Sequence, residues 1–309
     1  MMPSANQDAP IWSPTAQRAW RYTDSLPSLF RGRPGSSLLL AFVLTLLIAC
    51  NAGGDETLEQ SFQVGDSPRL VVGVGNGSVL VKTGPTGTIS VSSAVRNKDD
   101  VDLDVSADGD IVTVRSDTTI SGSLIGDRAE GAVDFTVTVP PRTVVEVGAA
   151  AGPVTLTGVQ GGGTITASAG AIELRGVSGD YSGGAGVGDI RITDSSGSFR
   201  FTVGNGSIKF DGVLVAGGLN EFETGVGDVI VSFPEGAGVD LDATVSTGTI
   251  SSELTLKNES SDPTSTGGGL SGTVGDGGAE LLISVGSGSV ELRDKTDEPS
   301  PPPVGSSTP

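Results

Sequence analysis

The sequence contains no histidine, so the commonest general base and the commonest zinc ligand are both missing. Its 1 cysteine, Cys50, excludes an intrachain disulfide and a thiolate metal cluster. Aromatic residues make up 4% of the chain. Both tryptophans, Trp12 and Trp20, lie near its start, and Tyr181 is the only tyrosine beyond residue 50, which leaves little for a sugar-stacking platform. Positive charge is scarce as well: 18 Lys and Arg stand against 37 Asp and Glu, a net charge of −19. Such a surface repels nucleic acid and anionic lipid headgroups, keeps the chain soluble and is open to cations or basic partners. Beyond residue 50 no long stretch carries an apolar period of 3.6, which excludes a fold built on amphipathic helices.

What is abundant is glycine, 48 of 309 residues, with many Ser, Thr, Val and Ile between. That composition favours short strands joined by tight turns, an all-β class.

Residues 36–49 form an apolar run beginning Ser-Ser-Leu-Leu-Leu, with Arg31 and Arg33 just upstream and Cys50 just after. A positive flank, about a dozen apolar residues and small residues near a cut site make a secretory signal. The run is short for a membrane-spanning helix. Leu47-Ile48-Ala49-Cys50 resembles the lipobox of bacterial lipoproteins. That resemblance implies lipid attachment at Cys50 and cleavage before it. Two or more acyl chains, at about 0.8 kcal/mol per buried methylene, hold a protein stably on a membrane. Residues 50–67 then read as the lipidated Cys and a polar tether.

One phrase recurs through residues 152–231: Gly152-Pro153-Val154-Thr155-Leu156, Gly170-Ala171-Ile172-Glu173-Leu174, Gly188-Asp189-Ile190-Arg191-Ile192, Gly206-Ser207-Ile208-Lys209-Phe210 and Gly227-Asp228-Val229-Ile230-Val231. The intervals are 18, 18, 18 and 21 residues. A second strand follows each phrase, as in Gly163-Thr164-Ile165 and Ser198-Phe199-Arg200-Phe201. Repeats of this length point to a β-solenoid, whose coils bury an apolar face only by stacking on their neighbours. The expected inner column holds Val154/Leu156, Ile172/Leu174, Ile190/Ile192, Ile208/Phe210 and Val229/Val231. A second is expected from Ile165, Tyr181, Phe199 and Phe222. Gly186-Val187-Gly188-Asp189, Gly204-Asn205-Gly206-Ser207 and Gly225-Val226-Gly227-Asp228 repeat one corner. There Gly supplies positive φ, and the Asp or Ser side chain can bond backbone groups freed by the turn.

The expected organisation is a signal segment over 1–49, the tether over 50–67 and one β-solenoid domain over 68–293 with about 18–21 residues per rung. That domain begins with a more irregular antiparallel β region. Regular rungs cover about 148–255, an insertion about 258–278 and closing strands 281–292. A disordered Pro-rich tail covers 294–309. The recurring Gly-x-Ile/Val-x-Ile/Leu/Phe phrase, the strand 133–139 ending at Pro140 and the segment 281–292 resemble the bacterial putative-adhesin family, a domain of unknown function found on surface lipoproteins. The resemblance spans about residues 70–292 and implies fold rather than activity, since that family brings no catalytic residues to carry over.

Other chemistries fit poorly. Gly73-Val74-Gly75-Asn76-Gly77 lacks dinucleotide-binding spacing and no helix follows it. Asp189 and Asp228 are weak calcium candidates: Gly188 stands where the calcium-binding Gly-rich nonapeptide needs Asp, and the interval is 18 residues. The same two carboxylates, two rungs or about 9.6 Å apart, fall at the edge of the range for an inverting glycosidase. Neither His nor a basic cluster supports them. The outer positions Thr155, Glu173, Arg191 and Lys209 form either a solvated face or one edge of a binding face. The expectation is therefore an exported protein, lipid-anchored at Cys50 to the cell membrane or outer membrane, with an adhesin-like structural or interaction role. It includes no catalysis, no cofactor and no nucleic-acid partner; a protein or glycan at the cell surface is the expected ligand. An envelope sensor or accessory subunit is the first alternative, a polysaccharide-acting enzyme the second.

Overall fold

The computed structural model describes residues 47–50, 56–118 and 131–295. The chain divides into Met1–Ala41, which lies outside those residues, and Phe42–Pro309, which holds all of them. The expected signal segment up to residue 46 and the expected tail beyond residue 295 are therefore outside what is described. No helix among the described residues is long and apolar enough to cross a membrane.

The described chain is all-β apart from a 3-10 turn at Lys98–Asp100. The strands are β1 (Leu47–Cys50), β2 (Glu56–Gln63), β3 (Arg69–Asn76), β4 (Val79–Thr83), β5 (Thr88–Arg96), β6 (Val101–Asp108) and β7 (Ile111–Thr118). Then come β8 (Ala132–Val139), β9 (Val144–Ala151), β10 (Val154–Thr157), β11 (Gly163–Ala169), β12 (Ile172–Arg175), β13 (Ser178–Val187) and β14 (Ile190–Asn205). The last are β15 (Ile208–Leu214), β16 (Leu219–Val226), β17 (Val229–Phe233), β18 (Val239–Ser252), β19 (Leu256–Pro263), β20 (Gly268–Val274) and β21 (Ala279–Asp294).

They stack in two parallel ladders. The first runs β8, β4, β10, β12, the start of β14, β15, β17, the end of β21 and the end of β18. The second runs β7, β3, β9, β11, β13, the end of β14, β16, the start of β21 and the start of β18. The long strands β14, β18 and β21 turn the corner and belong to both. Antiparallel strands flank the ladders: β5 on β8, β2 on β5 and β6 on β7 at one end, β20 on β18 and β19 on β20 at the other.

The phrase strands fall into register as their spacing predicts. Ile172 faces Ile190, Ile190 faces Ile208 and Ile208 faces Val229, all fully buried. Leu156, Leu174, Ile192, Phe210, Val231 and Leu292 form the neighbouring column. Each such side chain contributes roughly 1.5–3 kcal/mol by leaving water. The Phe210 ring lies 5.5 Å from both Phe199 and Phe222 and 6.5 Å from Phe233, measured between ring centroids, so the two ladders close on one apolar interior.

The second ladder corrects the expected column. Ile165, Tyr181, Phe199 and Phe222 do not line up. Tyr181 faces Phe199 and Gly163, whereas Ile165 faces Gly183, Gly183 faces Phe201 and Phe201 faces Phe222. Glycine takes an inward place in β11 and again in β13, which moves the bulky residue from one column to the next. The Tyr181 hydroxyl leans past Gly163 to donate to the Val159 carbonyl at 2.9 Å, and its ring stacks on Phe199. Burial pushes the Tyr181 pKa up, against the lowering effect of a backbone hydrogen bond at Gly162, so the phenol stays neutral and structural.

Three further expectations change. The tether over 50–67 is folded from Glu56 onward: β2 pairs with β5 along its whole length and buries Phe62. The insertion at 258–278 carries most of β19, whose residues are almost all exposed, and the whole of β20, which buries only Leu270 and Val274, so neither shows apolar alternation. Residues 281–292 do not close the array. They lie in β21, which sits between β16/β17 and β18. The chain thus passes from β17 to the outermost rung, turns through β19 and β20, and returns one rung inward. At the other end β3 and β4 are likewise laid first and then covered by β7 and β8. An end rung would expose core and free strand edge, and covering both is what a stacked array requires of its termini.

Candidate functional site

Asp189 and Asp228 stand at equivalent corners, as their phrases predict, but each is already engaged. Gly206 turns the corner at φ 143°, bringing its Cα so close to the rung beneath that an added Cβ would lie 2.2 Å from the Gly188 carbonyl oxygen. The next amide, Ser207 N–H, is met by Asp189 Oδ1 at 2.8 Å. One rung on, Asp228 N–H donates to Ser207 Oγ at 3.2 Å, and Ser289 donates to Asp228 Oδ1 from both its N–H (2.8 Å) and its hydroxyl (2.7 Å). Ser78 and Asp134 repeat the arrangement at the far end, with N–H at 2.9 Å and hydroxyl at 2.7 Å. These side chains form a capping ladder along one corner, the role that the Asp or Ser after each Gly implies. Among the described residues no three acidic, His or Cys side chains gather as a metal site.

Asp134 shows how the ladder couples to pH. Burial raises its carboxyl, but the hydrogen bonds from the Ser78 hydroxyl and N–H, with the Arg96 guanidinium, outweigh this and hold its pKa below the ordinary 3.8. A lowered folded-state pKa stabilises the fold above the unfolded value, and that contribution is lost as pH falls through the folded value. Asp134→Asn should therefore melt below the wild type at about pH 6, with the gap narrowing toward about pH 3. Melting curves across that range check it; a constant gap would show that the charge plays no part.

A residue that sequence reasoning missed is Asn220. It is fully buried, at an inward place in the ladder that also holds Leu70, Val145, Tyr181, Phe199 and Leu281. Its Oδ1 accepts from Phe199 N–H at 2.9 Å, while Nδ2 donates to the carbonyls of Glu280 at 3.0 Å and Gly218 at 3.3 Å. The cause is local. The rung from Ile208 to Val229 spans 21 residues rather than 18, and the extra residues swell the corner at Val215–Leu219. The swelling interrupts the backbone ladder just before Arg200 meets Glu221, and Asn220 supplies the missing partners. The signal was present: a polar residue at an inward place, directly after Gly217-Gly218-Leu219, in the one phrase interval that differs.

With the interior sealed, the exposed strand faces carry what remains. The outer face of the second ladder is built of small residues and includes a groove of about 720 Å³ floored by Gly73, Gly75 and Gly148 and edged by Arg115, Asp117 and Glu146. Farther along it are Glu221, Glu223, Asp242 and Glu280, all exposed. The outer face of the first ladder is different. Glu173, Arg191 and Lys209 follow one another in register, with Thr155 before and Ile230 after. Beside them run Arg175, Thr193 and Asp211. Glu173 is bonded by the Arg175 guanidinium at 2.5 and 2.9 Å. Asp211 is held by Lys295 at 2.9 Å, and Lys295 also reaches Asp194 at 3.1 Å. The hydrogen bonds to Asp211 and then Asp194 raise the Lys295 pKa, so this ammonium stays charged.

Leu47, Ile48, Ala49 and Cys50, the residues that resemble a lipobox, fall in β1, whose backbone pairs antiparallel with Glu56–Glu59 of β2.

No family model matches the chain, and no curated protein does. Solved structures with some likeness include a putative cell adhesion protein from Clostridium sporogenes, at 13% identity over 77% of this chain and 99% of that one, with a TM-score of 0.32. A putative adhesin from Bacteroides fragilis shows 9% identity over 76% and 96%, with a TM-score of 0.34. A putative lipid binding protein from Parabacteroides distasonis shows 11% identity over 79% and 98%, with a TM-score of 0.27. Likeness at this level carries no argument about the chain.

Proposed function

We propose that this protein is an exported β-solenoid, held on the outer side of a bacterial membrane by lipid at Cys50, with an adhesin-like interaction role and no catalysis. The observation that carries the reading is where its polar groups go. Asp134, Asp189, Ser207, Asp228 and Asn220 are engaged in capping backbone within the fold. That leaves regular exposed strand faces as the surface available to a partner, which is how stacked-repeat proteins meet large ligands. The sole cysteine stands at the one position the Leu47-Ile48-Ala49-Cys50 box requires, behind an apolar run and two arginines. The phrase resemblance to the putative-adhesin family of surface lipoproteins points the same way. Cleavage before Cys50 would remove Leu47–Ala49 from β1 and free the edge of β2 over Thr57–Glu59, without touching the pairing of β2 to β5.

The test is metabolic labelling of the full chain with a fatty acid in a bacterial host. Wild type should take up label and sediment with membranes, and Cys50→Ala should lose both. Equal labelling of the two would overturn the anchor.

A further inference from the structure

We infer that the outer face of the first ladder, centred on Arg191 and Lys209, binds an anionic glycan through its carboxylate or sulfate groups. The inference rests on the reading that the exposed strand faces are where this protein meets its partner. Arg191 and Lys209 stand directly opposite each other on adjacent parallel strands, about 4.8 Å apart along the stack. Like charges in that relation destabilise a sheet. Acid is plentiful in a chain of net charge −19, yet among the described residues neither cation has an acidic group within ion-pair distance.

The two acids nearest in register are turned elsewhere. Glu173, the in-register neighbour of Arg191, is bonded by Arg175, and Asp211, two residues after Lys209, is held by Lys295. Each is neutralised by a second cation, so the central pair stays open. Hydroxyls lie in the next column: Thr193 two residues after Arg191, and Ser232 on the strand beyond Lys209, two residues after its in-register neighbour Ile230. Two open cations with hydroxyls in the neighbouring column match a sugar acid, whose anionic group can bridge the cations while ring hydroxyls bond Thr193 and Ser232. The face offers no aromatic platform, so binding depends on charge and weakens with salt. Neutral glycans lack the group that the pair selects, and the acidic outer face of the second ladder repels the same ligand.

The experiment uses the full chain in detergent on immobilised alginate (carboxylated), heparin (sulfated) and dextran (neutral), across a salt series. Wild type should be retained on at least one anionic glycan and not on dextran. Arg191→Glu with Lys209→Glu should weaken that retention about tenfold. Arg115→Glu with Arg200→Glu, on the other face, should leave it unchanged, and circular dichroism confirms that both variants fold. Retention on alginate alone identifies a carboxylated ligand, and on heparin alone a sulfated one. Equal retention on dextran, no retention on either anionic glycan, or an undiminished Arg191→Glu/Lys209→Glu variant would each overturn the inference. If wild type still binds whole cells while failing on all three glycans, the inference falls and the interaction reading stands.

Discussion

Gly183→Ala should be among the most damaging small substitutions in the described chain, lowering stability by about 4 kcal/mol or more. Gly183 lies at an inward place in β13 with φ 146°, where an L side chain is strained. An added Cβ would sit 1.7 Å from the Ile165 carbonyl oxygen, a backbone atom that cannot swing aside. Moving it means separating β13 from β11. Gly73→Ala is the matched control: it is a strand glycine without positive φ, and its Cβ would meet nothing nearer than Arg115 Cγ at 3.8 Å. That change should stay within about 1 kcal/mol of wild type. Urea unfolding of the two variants checks the contrast, and equal costs would mean that the close rung contact at Gly183 is wrong.

Asn220→Leu should come next, at about 3–4 kcal/mol. Leucine has the same branching and the same number of side-chain heavy atoms and suits the apolar column, so a view from hydrophobicity alone predicts little loss or a gain. The hydrogen bonds decide otherwise. Without the amide, Phe199 N–H and the Glu280 carbonyl lose the Asn220 side chain that bonds both inside the core. Each orphaned buried group costs about 1–3 kcal/mol. At about 2–4 °C per kcal/mol for a domain of this size, the melting temperature should fall by roughly 6–16 °C. An unchanged melting temperature would show that water or a shifted backbone replaces the amide.

The sequence shows some of this directly and conceals the rest for physical reasons. The column Ile172, Ile190, Ile208 was legible because every phrase places an apolar residue at the same step and the interval is constant. The corner caps were legible because Asp or Ser follows Gly188, Gly206, Gly227 and Gly288, where the backbone turns at positive φ. The second ladder was misphased because Gly163 and Gly183 occupy inward places without side chains, so the first bulky residue in each rung is not the equivalent one. Strands β2, β19 and β20 look like a tether and an insertion in the sequence because β2 and β20 bury only Phe62, Leu270 and Val274, and β19 buries no residue. The out-of-order placing of β21 was hidden for a different reason. Every rung carries much the same phrase, so nothing local tells a strand which neighbour it will meet.

The order of the rungs can be read out directly. In a chain with Cys50→Ser, cysteine pairs at exposed register positions can be oxidised and the crosslinks mapped by mass spectrometry. Glu221 faces Leu282, and Leu282 faces Asp242, each across one rung. A rung spacing of about 4.8 Å lies inside the Cα range that a disulfide bridges, and two rungs lie outside it. Glu221→Cys with Leu282→Cys, and Leu282→Cys with Asp242→Cys, should both crosslink, while Glu221→Cys with Asp242→Cys should not. Crosslinking of the last pair, with failure of the first two, would contradict the stacking order on which the fold and its exposed faces depend.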